Sequence, residues 1–197
     1  KSATFRTVDV VGLDTLVHVA NGIYENCPND EAHELFKLPE FVNKMMENKW
    51  LGSKSGQGFY KKEGKDILTL DLDTLEYRAN KKASFATLEL TNAIEKPIDR
   101  FKVLVTGKDK AGDFYRKNFA SMFQYCSNRI PEITDAFYKI DDAMKAGFGW
   151  ENGPFEIWDA IGVEKGIELM KAEGYQPASW VTDMLVSGNT SFYSIKD

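Results

Sequence analysis

Residues 147–162 read Gly-Phe-Gly-Trp-Glu-Asn-Gly-Pro-Phe-Glu-Ile-Trp-Asp-Ala-Ile-Gly, and this stretch decides the fold. Its first two glycines, on either side of an aromatic residue, end an amphipathic helix predicted for residues 113–146. Pro154 suits the first turn of a new helix, where a missing N–H costs nothing, and Asn152 or Gly153 can cap that helix. Apolar residues then recur at helical spacing: Phe155, Ile157, Trp158 and Ile161. The stretch therefore predicts a sharp corner between two helices.

The same pattern occurs a second time, near the start of the chain. Ala3–Thr15 aligns with Gly153–Lys165, and the most informative pairs are Phe5 with Phe155, Asp9 with Asp159, and Gly12 with Gly162. The match continues in order, with Pro39, Phe41-Val42 and Met45-Met46 against Pro177, Trp180-Val181 and Met184-Leu185, and with Gly58-Phe59-Tyr60 against Ser191-Phe192-Tyr193. Because this order holds over about 80 residues, it indicates a tandem duplication.

We therefore expect an all-α, mostly helical fold, with a first repeat over residues 1–85, a connector over 86–112 and a second repeat over 113–197. The segment from Phe5 to Tyr24 predicts one helix, or two broken near Gly12 with Asp14 as a cap. A small β-hairpin is predicted after the first repeat's glycine-rich loop, where residues 67–72 alternate as a strand does. The first repeat begins at its corner. Either the chain is a piece of a longer protein, which we favour, or its start is simply frayed.

The composition describes a soluble globular protein of one domain or two small ones, with 43% apolar and 28% charged residues. A net charge of −5, with Lys and Arg scattered, argues against nucleic-acid binding. No apolar run is long enough to span a bilayer. Cys27 and Cys126 stand apart, without a Cys-x-x-Cys pattern. We therefore expect reduced thiols, no disulfide and a cytoplasmic location.

The two histidines do not build a convincing catalytic or metal site. His18 follows Asp14 by four residues, so the two could meet on one helix face as an acid–base pair. No nucleophile or second carboxylate is evident beside them, and a partly exposed helical histidine is the better interpretation. His33 lies among acidic residues and is expected at the surface. No His or Cys lies at metal-ligand spacing, so the sequence predicts no metal site. Because no set of catalytic groups is evident either, it predicts no catalytic residue.

The glycine-rich segment Gly52-Ser-Lys-Ser-Gly-Gln-Gly58 invites comparison with a phosphate loop. A phosphate loop has its lysine after the last glycine and a strand before the loop, whereas here a helix precedes and a strand follows. We therefore expect a structural turn, in which Lys54 is the one candidate for contact with an anionic substrate. The dinucleotide fingerprint G-x-G-x-x-G is absent from the sequence, so no cofactor-binding residue is predicted.

Asp9 and Asp159 lie at matching positions in two otherwise apolar helices. A carboxylate near a helix break can accept the free N–H groups of the next helix, which here begins after Gly12 or Gly162. We expect this structural role for both residues rather than a catalytic one. The four tryptophans are expected to fill cores: Trp50, Trp150, Trp158 and Trp180.

Three motifs carry a resemblance to a known family: Phe5-Arg-Thr-Val-Asp-Val-Val-Gly-Leu-Asp-Thr15, Leu51-Gly-Ser-Lys-Ser-Gly-Gln-Gly-Phe-Tyr60 and Gly149-Trp-Glu-Asn-Gly-Pro-Phe-Glu156. Through them, nearly the whole chain resembles the C-terminal helical domain of the 3-hydroxyacyl-CoA dehydrogenases, in the duplicated form of long, multifunctional fatty-acid oxidation enzymes. The resemblance implies a Rossmann-type domain of the same polypeptide that binds NAD and supplies a catalytic His–Glu pair. It also implies an acyl-CoA substrate, oxidation of (3S)-3-hydroxyacyl-CoA in β-oxidation, and a homo-oligomer as a further partnership.

Little of the family's chemistry transfers to residues of this chain. The asparagine that the family places near its catalytic histidine belongs before the first corner. In the second copy the nearest asparagine is Asn118, to which we assign no catalytic role. The first corner reads Ala3-Thr4-Phe5-Arg6 where the family has Gly-Pro-Phe-Glu. The resemblance thus implies an enzyme of which this chain alone is inactive. The alternative is an independent helical scaffold or protein-interaction domain, and an upstream Rossmann pattern would separate the two.

Overall fold

The computed structural model describes residues 3–194, and the chain divides into two compact units, Lys1–Lys82 and Ala83–Asp197. Helices dominate both units, and a small antiparallel sheet lies in the first. The mostly helical fold predicted from the sequence is therefore confirmed.

The first unit combines three α-helices, two short 3-10 helices and three strands. In chain order these are α1 (Thr4–Val11), α2 (Leu13–Asn26), a 3-10 turn at His33–Phe36, α3 (Glu40–Glu47), a second 3-10 turn at Ser53–Ser55, β1 (Tyr60–Glu63), β2 (Asp66–Leu70) and β3 (Tyr77–Ala79). The strand order is β1-β2-β3, with Tyr60 opposite Thr69 and Leu70 opposite Tyr77. The predicted hairpin is present. Sequence analysis missed β3, whose three residues are too few to show an alternating pattern.

Gly12 makes the break between α1 and α2. Its φ of +111° lies in a region that favours glycine, and its N–H donates to Val8 O at 2.7 Å, which closes α1. Of the two alternatives predicted for the segment from Phe5 to Tyr24, one helix or two, the structure shows two. The prediction that Asp14 caps α2 is wrong: the N-cap residue is Gly12, and no side chain caps this helix.

The second unit contains seven helices within its described residues: α4 (Ala86–Asn92), α5 (Pro97–Thr106), α6 (Lys110–Asn128), α7 (Phe137–Phe148), α8 (Pro154–Ile161), α9 (Val163–Ala172) and α10 (Ser179–Val186). The single helix predicted over residues 113–146 is wrong. The chain forms two helices here, α6 and α7, because Pro131 between them lacks the N–H that a continuing helix needs. The residues that we assigned to a connector form α4 and α5, and α5 packs against α6 and α8.

Each unit has its own apolar core. The core of the first unit is built from Leu13, Val42, Met45, Phe59 and Leu70. The core of the second unit surrounds Trp158, which stacks on Phe123 at a centroid distance of 4.7 Å. The helical face predicted for α8 is confirmed, since all four of its apolar residues are buried. The expectation for Trp150 is wrong, because this residue follows the turn at Gly149 and is 39% exposed.

Gly58 is required by a close approach between segments of the first unit. A Cβ at this position would overlap the Asp9 carboxylate and the Gly52 backbone, whereas a Cβ at Gly22 in α2 would meet nothing within 4 Å. We expect Gly58→Ala to lower the free energy of unfolding by about 1–3 kcal/mol. Gly22→Ala should instead raise it by about 0.5–1 kcal/mol, because alanine favours the helix. Urea unfolding measures both changes, and equal stability of the two variants would contradict this packing.

Candidate functional site

A buried carboxylate in the first unit joins α1 to the start of the sheet. Asp9 Oδ1 accepts the Phe59 N–H at 2.9 Å, and Oδ2 accepts the Tyr60 N–H at 2.8 Å. Hydrogen bonds to an ionised acceptor are stronger than neutral ones. We call this arrangement the aspartate clasp: one carboxylate holding the consecutive amides of a Phe-Tyr pair. It fixes the glycine-rich turn against α1.

The second unit contains an aspartate clasp of the same form. Asp159 Oδ1 accepts the Phe192 N–H at 2.8 Å, and Oδ2 accepts the Tyr193 N–H at 2.9 Å. The helix that carries Asp159 also ends at a glycine, Gly162, with φ +104° and an N–H bonded to Trp158 O at 2.8 Å. The clasp and the helix break therefore occur together in both units.

The partners that we predicted for the two aspartates are wrong. Neither carboxylate accepts an amide from the helix that follows its glycine. In the first unit those amides already have backbone partners: Leu13 N–H donates to Leu51 O at 3.1 Å, and Thr15 N–H donates to Gly12 O at 3.1 Å. The aspartates bind distant Phe-Tyr amides instead. Both oxygens of each carboxylate are occupied, which leaves neither aspartate placed as a general base.

Sequence analysis missed a further carboxylate, Asp141 in α7, which is fully buried. Its oxygens accept the N–H groups of Phe155 at 2.9 Å and Glu156 at 3.0 Å, so Asp141 caps α8 from the preceding helix. The Tyr193 hydroxyl donates to the same carboxylate at 2.8 Å. A signal was present: helical spacing puts Asp141 on the apolar face of α7, beside Phe137 and Ile140.

Glu156 completes the cap of α8. Its Oε2 accepts the Gly153 N–H at 2.8 Å, while its Oε1 pairs with Lys145 Nζ at 2.8 Å. The prediction of Pro154 in the first turn is confirmed, and of the two candidate caps the structure has Gly153 at the N-cap position. The corner is therefore stabilised by two acidic side chains as well as by its glycines and proline.

Burial dominates the electrostatics of two carboxylates in the second unit, Asp141 and Asp159. It raises the pKa of Asp141 and of Asp159 above their ordinary value, although backbone amides oppose the shift in both cases. Burial and the neighbouring Asp141 also raise the pKa of the Tyr193 hydroxyl. Asp109, at the start of α6, differs: hydrogen bonds from the Thr87 and Gly112 amides lower its pKa to about 2.

Lys54, the candidate for contact with an anionic substrate, pairs with Asp14. The Lys54 Nζ lies 2.6 Å from Asp14 Oδ2, both side chains are nearly half exposed, and the lysine lowers the pKa of the aspartate. Asp14 therefore has a lysine as its partner. His18 is exposed on α2. His33 is half-buried and stacks on Tyr24 at a centroid distance of 4.1 Å.

The other sequence candidates are dispersed through the structure. Asn118 is exposed on α6, and its amide group donates to Phe114 O at 2.8 Å on the same helix. Cys27 and Cys126 are free cysteines, and burial raises the pKa of the Cys126 thiol to about 12. Across residues 3–194, no three acidic, His or Cys side chains form a group that could hold a metal ion.

The described residues do not fit a dinucleotide cofactor. Such cofactors bind at the end of parallel strands, where a glycine-rich turn opens a helix. The three strands described here are antiparallel, and the glycine-rich segment leads from a 3-10 turn into a strand. Likewise, none of the helices in this part of the chain combines the length and apolarity that a membrane crossing requires.

The clasp predicts that asparagine cannot replace Asp9. An amide offers one acceptor oxygen, and its NH₂ would face the second backbone N–H. We expect Asp9→Asn and Asp9→Ala each to cost about 1–3 kcal/mol, because each leaves at least one buried donor unpaired. Hydrogen exchange of the Phe59 and Tyr60 amides should lose protection in both variants. Asp14→Asn, which changes the charge equally on the same unit, is the control. Full protection in Asp9→Asn would contradict the assignment.

The raised pKa values predict a pH dependence for the second unit. A carboxyl group with a raised pKa binds more protons in the folded than in the unfolded state. Its stabilising contribution is therefore present below 3.8, the ordinary value, and is lost as the pH rises through the folded-state pKa. Carboxyl NMR titration should place Asp141 and Asp159 above 3.8 and Asp109 at about 2. Titration of Asp159 at or below 3.8 would contradict the role given to burial.

Comparisons with known proteins agree on one family. The family model described as 3-hydroxyacyl-CoA dehydrogenase, C-terminal domain, matches residues 1–62. A probable 3-hydroxyacyl-CoA dehydrogenase of Bacillus subtilis is 45% identical over 193 residues, which cover 98% of this chain and 24% of that protein. A putative fatty acid oxidation complex trifunctional enzyme of Rickettsia felis is 27% identical over 158 residues, 78% of this chain and 20% of that protein. The chain thus spans about a quarter of the length of these curated relatives, or less.

A solved structure shares the fold. The crystal structure of 3-hydroxybutyryl-CoA dehydrogenase from Escherichia coli K12 matches with a TM-score of 0.56 and 16% identity, covering 93% of this chain and 51% of that one. At this identity the similarity concerns the fold alone. Taken with the family match and the Bacillus relative, it leads to one conclusion: the chain belongs to the 3-hydroxyacyl-CoA dehydrogenase family.

Proposed function

We propose that the chain is the C-terminal, substrate-binding and dimerisation-type region of an NAD-dependent (3S)-3-hydroxyacyl-CoA dehydrogenase of fatty-acid β-oxidation. The observation that carries this proposal is the 45% identity to the Bacillus protein, which extends across both units. The names of the Rickettsia and Bacillus relatives support the reaction and the pathway. A cytoplasmic location and a homo-oligomer belong to the same proposal.

In this proposal the chemistry belongs to the rest of the polypeptide. Hydride transfer needs NAD and an acid–base pair, which a Rossmann-type domain would supply. The residues described here contribute a rigid helical body that covers the acyl-CoA. Within it, Lys54 remains a candidate contact for the anionic part of the substrate, although it shares its charge with Asp14.

We also propose that the two units derive from a tandem duplication, with copies within residues 1–85 and 113–197 and residues 86–112 between them. Three features support it, each found once in either unit: a helix ended by a glycine at φ above +100°, an aspartate three residues before that glycine, and a Phe-Tyr pair bound by the aspartate. The matching helices α3 and α10 each bury a valine, Val42 and Val181.

The copies differ in what covers their corner. In the second unit, α5 and α6 pack on α8 and α9, and Ile161 and Leu169 are 7% and 6% exposed. Their counterparts Val11 and Val19 in the first unit are 55% and 51% exposed. This bare apolar face supports the proposal that a longer polypeptide packs a further helix against the first copy.

The proposal predicts that this chain alone has no dehydrogenase activity. Mixed with NADH and acetoacetyl-CoA, it should consume no NADH above a blank, because no described residue fits the cofactor. The polypeptide extended to the length of the Bacillus relative is the matched control and should be active. Turnover by the 197-residue chain, or an extended protein that folds yet neither oxidises 3-hydroxyacyl-CoA nor reduces acetoacetyl-CoA, would contradict the proposed function.

A further inference from the structure

A cationic cavity lies in the first unit, next to the aspartate clasp. Its volume is about 350 Å³, and it opens to solvent between α1, the turn at Gly52–Gly56 and the β1–β2 hairpin, which line it. Its lining includes three basic residues, Arg6 from α1 and Lys61 and Lys62 from β1. Consecutive strand residues point to opposite faces of a sheet, and the Lys61 ammonium lies over the Tyr77 ring, so Arg6 and Lys62 are the cationic side chains available to the cavity. The clasp holds α1 and β1 together, so it also fixes the distance between these cations.

The cavity has no carboxylate free to neutralise its cations. Asp9 is its one acidic lining residue, and both of its oxygens accept backbone amides. Among residues 3–194, Arg6, Lys61 and Lys62 form no ion pair, in contrast to Lys54, which pairs with Asp14. Lys61 lies over the Tyr77 ring at 5.5 Å. Arg6 and Lys62 are two cations without a carboxylate partner beside one cavity; they repel each other, and a bound anion offsets that repulsion.

Within residues 3–194, the Arg6 side chain makes no hydrogen bond or ion pair that would give it a structural role. Its counterpart at the second corner is Glu156, which caps α8 and pairs with Lys145. At the first corner no side chain caps α1, and the charge at this position is reversed. The reversal adds a cation to a cavity that already has Lys62.

We propose that this cavity binds phosphate groups. An arginine can form two parallel hydrogen bonds to a phosphate, and lysines add mobile point charges. Val10 and Ile67, which are 72% and 52% exposed, line the same cavity and offer apolar contact to an organic ligand. The phosphates could be those of a coenzyme A thioester, a source that rests on the proposed function, or those of free pyrophosphate.

Binding to the 15N-labelled 197-residue chain tests this proposal without turnover. Titration with pyrophosphate, and separately with coenzyme A, should shift the amides of Gly56, Lys61 and Lys62 in a saturable way. Arg6→Gln and Lys62→Gln should each weaken binding about tenfold, because each removes a charged hydrogen-bond donor. Lys65→Gln is the control, since it removes an equal charge from the exposed turn after β1 and should bind as the wild type does.

Each outcome decides the matter. Coenzyme A binding at least tenfold more tightly than pyrophosphate would support the site with the thioester as its source, and equal affinities would support it with free phosphate as the source. The absence of saturable shifts, or equal weakening by Lys65→Gln, would overturn the proposal. Loss of binding in Arg6→Gln counts only if its thermal unfolding midpoint is unchanged, and Lys62→Gln supplies the second variant. Failure of the dehydrogenase assay would leave pyrophosphate binding intact, so the two proposals fail separately.

Discussion

The structure depends on a carboxylate that accepts two consecutive backbone amides from a distant segment. Removing a charged group from water is costly unless hydrogen bonds satisfy it, and each clasp satisfies both carboxylate oxygens. Only a carboxylate meets this demand, because both partners are donors. Asp9 thereby connects α1 to residues 50 positions away, and Asp159 connects α8 to residues beyond α10. In the second unit Tyr193 also donates its hydroxyl to Asp141, so one short segment is held by two aspartates, the buried Asp141 and the half-buried Asp159.

Local patterns in the sequence predicted the features that local physics controls. The glycines identified the helix breaks at Gly12 and Gly162, because glycine tolerates the positive φ that such a break needs. Proline in the first turn and apolar residues at helical spacing identified α8 and its buried face. Sequence analysis also identified Asp9 and Asp159 as structural anchors but assigned them neighbouring amides, since the true partners lie far away in the chain. The division between α6 and α7 was missed although Pro131 marks it. Asp141 was missed because its position on an apolar helix face was not weighed against the cost of burying a charge.

The sequence predicted less of the function than of the fold. The family became recognisable through motifs that turn out to be structural: the corner, the glycine-rich turn and the Phe-Tyr pair all serve the clasps. Chemistry stayed out of reach because the reacting groups are expected in another part of the polypeptide. The cationic cavity could not be predicted, because Arg6 and Lys62 are far apart in the sequence and come together only in the folded unit. Lys54, the cation in the glycine-rich segment, is paired with Asp14.

The most direct test of the two clasps is NMR detection of scalar couplings across their hydrogen bonds. In a carboxyl-labelled sample, the Asp9 side-chain carbon should couple to the amides of Phe59 and Tyr60, and the Asp159 carbon to those of Phe192 and Tyr193. All four couplings should appear in the same sample, because the same clasp is built in both units. Couplings from either aspartate to the amides that follow Gly12 or Gly162, or couplings in one unit only, would contradict the account.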